Sequence, residues 1–245
     1  MQDLEFNAGA IKPIECVKEA WELVKTDYWM LFAISLVGGL IGGASMYVLI
    51  GAMVCGIFYT YLKKIDGGGK ASLDDLWVGM KYFVPSLLVT IAFVVPMVVW
   101  IVVLFVTIYL PLIATAMMGN NPDPSVILGS FAAGLVVDII VAIIMTIIHS
   151  LIIFAFPLIV DRGLSSWDAM KLSARAAMKN MGGIAGLIGV NFCLVLAGYL
   201  ALCIGLYLMI PIITATSVIA YRKVFPALAK QSFDPPPPAA FQGLS

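Results

Sequence analysis

Residues 154–183, FAFPLIVDRGLSSWDAMKLSARAAMKNMGG, hold the end of one apolar run, a charged break, an amphipathic stretch and the start of the next apolar run. Pro157 lies in the last turns of the first run, and Asp161 and Arg162 mark the point where the chain meets water. Gly163 permits a turn there, because glycine reaches backbone angles closed to other residues. Ser165, with Asp168 three residues on, is a helix-start signal of the capping-box kind, with Asp where Glu or Gln is usual. From that start Trp167, Met170, Ala174, Ala177, Met178 and Met181 recur at helical spacing and predict one apolar face. Lys171, Arg175 and Lys179, each four apart, form a basic stripe beside it. A helix with one apolar and one cationic face is built to lie in a membrane interface.

The composition around this stretch sets the class. Apolar residues make up 62% of the 245 and charged residues 11%, against about half and about a quarter in an ordinary soluble domain. Several uncharged runs exceed the roughly 20 residues that cross a bilayer. They lack the alternation of a transmembrane barrel. The fold class expected is all-α, a polytopic bundle of membrane helices. The formal net charge of zero argues against a nucleic-acid-binding character. Cys16, Cys55, Cys193 and Cys203 are scattered, with no CxxC pair, and read as small apolar residues. The first 27 residues mix acids and bases and show no signal-peptide pattern.

Taken in order, Pro13 opens a second amphipathic segment. Ile14, Val17, Trp21 and Val24 lie on one side, and Glu15, Lys18, Glu19, Glu22 and Lys25 on the other. The uncharged run 29–62 has 34 residues. As one straight helix it would be ~51 Å long, so it reads as a hairpin of two short spans broken near Gly42–Ala44. The pairs Gly38/Gly42 and Gly39/Gly43 have the small-xxx-small spacing of close helix contact. Ser72 and Asp75 repeat the start signal, with Leu73, Leu76, Trp77, Met80 and Phe83 as a third apolar face. Between residues 84 and 161 one span near 86–106, kinked at Pro96, and another near 135–160 stand out. The residues between them read either as interfacial segments, giving six crossings, or as two more short spans, giving eight; six is preferred. Residues 182–221 supply a last uncharged pair of spans, with Gly182/Gly186 and Ala185/Gly189 at close-contact spacing.

The expected organisation is one membrane domain, 1–232, with hairpins at about 28–64, 84–161 and 182–223. Interfacial helices precede them at about 13–27, 72–83 and 165–181, each with one tryptophan, and a Pro-rich tail follows at 233–245. All 14 Lys and Arg fall before residue 28, in 63–81, in 162–179 or after 221. The positive-inside rule then places both termini and the interfacial helices in the cytoplasm.

The segments GAMVCGIFYTYLKKIDGG, FPLIVDRGLSSWDAMKLSARAAMKNMGG and IPIITATSVIAYRKVF resemble a broad group of bacterial multi-pass membrane proteins. That group is similar to the membrane domain attached to some glycerophosphodiester phosphodiesterases. The matching positions are Pro157, Asp161, Ala169, Lys171, Ser173, Ala220, Tyr221 and Arg222. The resemblance implies a multi-pass protein of the bacterial cytoplasmic membrane. The phosphodiesterase activity is not expected to carry over, since the residues outside the membrane segments are too few for that catalytic domain.

Within the membrane, His149 lies near the middle of its span. Asp138 lies three turns earlier, close to the far headgroups, and Asn191 is a polar residue in the next hairpin. Ionisable residues at such depths are functional candidates. Their bland reading is a neutral imidazole bonded to a carbonyl or to Asn191, and a carboxylate held near headgroups. Lys171, Arg175 and Lys179 are the candidates for binding lipid headgroups or an acidic partner. No HExxH, phosphate loop or Ser/His/acid set appears, so neither enzyme activity, metal nor cofactor is expected. Expected partners are membrane lipids, with a protein partner or a second copy left open and no nucleic acid. Two roles fit: an accessory or scaffold protein, or a transporter or channel built on the hairpin repeat.

Overall fold

The computed structural model describes residues 6–67, 69–117, 124–201 and 204–227, and these contain helices and no strand. The polar tip at 120–124 therefore lies largely outside the described residues, and the Pro-rich tail wholly so. The helices are α1 (Pro13–Val24), α2 (Tyr28–Ala44), α3 (Ile50–Ile65), α4 (Asp74–Val78), α5 (Phe83–Leu104) and α6 (Leu110–Met117). They continue with α7 (Pro124–Leu151), α8 (Ala155–Arg162), α9 (Ser166–Lys179), α10 (Met181–Leu200) and α11 (Ile204–Val224). A 3-10 turn, Gly79–Tyr82, links α4 to α5, and a π-helical turn, Phe105–Tyr109, links α5 to α6.

Four helical rods are long and apolar enough to cross a membrane: Asp74–Thr115, Ile127–Arg162, Met181–Leu200 and Gly205–Val224. A fifth candidate is α1 with α2, which meet at a bend of 102°. The chain is thus a membrane protein of four or five candidate spans by length. The helices α2 and α3, with 17 and 16 residues, are shorter than a full crossing. They pack on each other, as do α5 with α7 and α10 with α11.

Local signals place the end of α8 and the start of α9. Gly163 closes α8 in the left-handed region, φ +62°, and the Ser165 side chain accepts from the Asp168 N–H at the start of α9. Tertiary contacts override other expectations. The hairpin turn falls at 45–49, just beyond the glycines, because α2 continues to Ala44. Of the two glycine pairs in α2 only Gly38/Gly42 meets a neighbour; a Cβ on Gly42 would sit 2.4 Å from Ile50, whereas Gly39 and Gly43 face open space. The segment expected as an amphipathic helix at 72–83 is instead a five-residue helix and a 3-10 turn. Gly79 packs so closely on α3 that a Cβ there would lie 2.0 Å from the Ala52 carbonyl.

The middle section also departs from expectation. Residues 105–117 continue α5 through the π turn, and α7 already starts at Pro124, so neither forms a separate short span. The span expected to run unbroken to residue 160 is interrupted at 152–154. Ser173 of α9 fills the break: its hydroxyl accepts from the Phe154 N–H at 3.0 Å and donates to the Leu151 carbonyl at 2.8 Å. Orphaned backbone groups in an apolar interior are costly, and one buried side chain satisfies two of them.

The core lies at the end of the bundle where α8 sits. Ala155 to Ile159 are all buried there, with Tyr61, Phe154, Tyr221 and Phe225 as the largest enclosed rings. Phe154, Tyr221 and Phe225 lie 5.2–6.2 Å apart. Away from this end the rods of α5, α7 and α10 expose valine, isoleucine and leucine on most sides.

Candidate functional site

Charged side chains gather where the helix ends meet. The Arg222 guanidinium, at the end of α11, donates to both oxygens of Asp161 at 2.8 and 2.7 Å and to both of Asp66 at 3.1 and 2.6 Å. The Tyr221 hydroxyl donates to Asp161 at 2.6 Å, and Arg162 lies 2.9 Å from the same carboxylate. Around this centre Lys63 pairs with Asp75 at 2.9 Å, Lys64 with Asp27, and Lys223 with Glu19 at 2.8 Å. A fork-shaped guanidinium holding two carboxylates fixes geometry more firmly than a point charge. The pairs tie α1, α4, α8 and the ends of α3 and α11 into one charged layer. Asp138 lies away from this layer, beside Thr107 of the π turn.

The same layer contains a groove of about 510 Å³ lined by Lys18, Glu19, Glu22, Leu23, Ile65, Ile219, Arg222 and Lys223. Its floor is apolar and its rim carries both signs. Neither this groove nor the Asp161–Arg222–Asp66 cluster is apparent from spacing, because the partners are 61 and 156 residues apart. The signal that points toward them is the opposite charge placed at the end of each apolar run.

Lys171, Arg175 and Lys179 lie together on one exposed side of α9. The Lys171 ammonium sits 5.0 Å over the Trp167 ring, a cation–π contact. None of the three has a carboxylate within ion-pairing distance among the described residues, unlike Lys63, Lys64, Arg162, Arg222 and Lys223. The expected apolar stripe lies beside them: Trp167, Met178 and Met181 are exposed, while Ala177 is buried. The helix packs on the protein through a third face that hydrophobic periodicity alone does not reveal. That face consists of Ser166, Ala169, Ser173, Ala176 and Ala177. Trp21 and Trp77 are likewise about half exposed, at 49% and 55%, and Trp167 reaches 63%.

The intramembrane candidates are not brought together. His149 bridges α7 to α5, with Nδ1 2.8 Å from the Met145 carbonyl and Nε2 3.0 Å from the Phe93 carbonyl, and its ring lies on Phe93. Its partners are therefore carbonyls, not Asn191. Asn191 sits on α10 with a buried Oδ1 that has no partner among the described residues. Asp138, expected at the depth of the far headgroups, is 7% exposed and lies against the π turn beside Thr107. Among the described residues no group of three His, Cys, Asp or Glu could hold a metal ion. Compared with protein-family models, with curated proteins and with solved structures, the chain matches none.

Proposed function

We propose that this chain is a non-enzymatic accessory or scaffold protein of the bacterial cytoplasmic membrane that gathers anionic lipid headgroups along α9. The observation that carries this reading is the row Lys171, Arg175 and Lys179. Three exposed cations with no carboxylate in ion-pairing distance among the described residues stand beside exposed Trp167, Met178 and Met181. A cation near an anionic leaflet contributes about 1 kcal/mol, so the row supplies about 3 kcal/mol, roughly a hundredfold in affinity. Tryptophan suits the headgroup level because its ring is apolar and its N–H polar. Three exposed tryptophans, on α1, α4 and α9, fit surface segments at one membrane face.

The same reading takes six crossings in three hairpins, with both termini cytoplasmic. The charged layer at one end of the bundle and the confinement of the basic residues to four segments of the sequence support that topology. The short helices α2 and α3, ~25 Å long at 1.5 Å per residue, span by local thinning of the bilayer.

The test is lipid retention in nanodiscs. The triple variant Lys171→Gln, Arg175→Gln, Lys179→Gln is expected to lose most of its preference for anionic over zwitterionic lipid. Unchanged preference would sink the proposal. A transporter or channel is the second reading, favoured by the buried, partnerless oxygens of Asn191 and Asp138. Against it, the hydroxyls of Thr216 and Ser217 are tied back to carbonyls of their own helix. Solute flux into proteoliposomes above that of empty vesicles would favour it.

A further inference from the structure

Helix α1 presents three faces to three different surroundings. Cys16, Ala20 and Val24, four apart, are buried against the bundle. Ile14 and Trp21, seven apart, are exposed at 67% and 49%, and under the headgroup reading this is the side that meets the membrane surface. Lys18, Glu19, Glu22 and Leu23 lie on the third side and line the groove of about 510 Å³. At 3.6 residues per turn that side is turned about 120° from the tryptophan side. What fills the groove therefore comes from water and not from lipid, and its volume is in the range that bound ligands occupy.

Most charges on the rim are already taken. Arg222 is held by Asp161 and Asp66, Lys223 by Glu19 at 2.8 Å, and Glu22 pairs with Lys25. Lys18 is exposed and has no carboxylate within ion-pairing distance among the described residues. The floor is Leu23, Ile65 and the buried Ile219. Such a groove suits an occupant with apolar bulk and one acid beside it. Residues 233–241, FDPPPPAAF, have that chemistry: Asp234 directly follows Phe233, and no basic residue occurs among them. Consecutive prolines have φ already fixed, so a segment of them has little freedom to lose on docking. The reach is sufficient as well. Helix α11 ends at Val224 and the described residues stop at Ala227. Ile219 lies eight residues before Ala227, ~12 Å back along the helix. The six residues from Ala227 to Phe233 cover up to ~20 Å when extended.

We propose that this groove is the docking site of the chain's own residues 233–241, with Asp234 at Lys18 and Phe233 on Leu23, Ile65 and Ile219. Docking there covers a water-side surface of the charged layer from within the same chain, so another segment of like chemistry gains access only by displacing it. The test mixes unlabelled and isotope-labelled full chain in mild detergent and adds a water-soluble carbodiimide, which joins a carboxylate to an amine in contact with it. Cross-linked peptides are identified by mass spectrometry. No lipid is added, so the outcome does not depend on headgroup binding by α9. The Lys63–Asp75 link, between groups 2.9 Å apart, is the internal control. The expected result is an Asp234–Lys18 link in which both peptides carry the same isotope. Phe233→Ser removes the apolar anchor and is expected to lower the docked-to-undocked ratio roughly tenfold, with the control link unchanged. Absence of the Asp234–Lys18 link where the control link forms would overturn the proposal. So would a link undiminished in Phe233→Ser, which marks tether length alone. Mixed-isotope pairs would overturn it in favour of a contact between two copies, and a Lys18 link to Asp3 or Glu5 in favour of the N-terminal residues.

Discussion

The two ends of the bundle are held by different means. Where α3, α8 and α11 finish, ionised forks, a cluster of three rings and a bridging serine join segments from across the chain. Along the hairpin of α5 and α7, from His149 beside the 152–154 break outward to Asp138, the polar links between the helices among the described residues are one imidazole and one hydroxyl–carboxyl pair, with a glycine that admits a backbone. The second end has little to gain from burying apolar surface, because lipid is as apolar as leucine and does not drive helices together. Its sparse polar links therefore decide register, while at the charged end water sets the usual balance. The charged layer is therefore held by many directional contacts between distant segments and the long hairpin by few.

The largest effect should come from breaking the charged layer. In Arg222→Met the carboxylates of Asp161 and Asp66 lose their shared partner; the side chains of Arg222 and Asp161 are 11% and 13% exposed. Removing one member of such a buried pair costs about 3–5 kcal/mol, visible as a fall in melting temperature in mild detergent. Adding Asp161→Asn to it should restore part of the loss, and a double variant no better than the single would show that the pair is not the source.

A smaller loss is expected for Ser173→Ala, which leaves the Phe154 N–H and the Leu151 carbonyl without partners. Such groups cost about 1–3 kcal/mol. Limited proteolysis should then cut near 152–154 faster than in the parent, and an unchanged digest would show that the break is closed by something else.

The mildest is His149→Phe, which keeps a ring against Phe93 and removes both polar contacts. Interhelical hydrogen bonds in membranes average about 0.6 kcal/mol, so the melting shift should be slight beside that of Arg222→Met. A His149→Phe loss matching Arg222→Met would reverse the ranking of the two ends.

The basic row on α9 was readable from i, i+4 spacing, since neighbours on one helix face are fixed by 3.6 residues per turn. The Asp161–Arg222–Asp66 cluster was not, because its partners are 61 and 156 residues apart. Nothing local tells Arg222 which carboxylate to take. For Asp138 the position along its helix was legible and the side-chain environment was not, because headgroup exposure depends on whether another helix covers that face.

From the residues alone came the all-helical membrane class, the turn at Gly163 with the helix start at Ser165, and the confinement of basic residues to four segments. Those features follow from apolar run length and from local signals such as Gly163 and Ser165, which act within a turn or two. The tertiary structure alone decided that Gly38 and Gly42, not Gly39 and Gly43, receive a neighbour. It also decided that α9 docks by its alanines and serines while leaving Trp167 and the cations outward, and that the chain breaks at 152–154 where Ser173 can close it. A helix carries several plausible faces, and which one packs is settled only by the shape and polarity of what comes to lie against it.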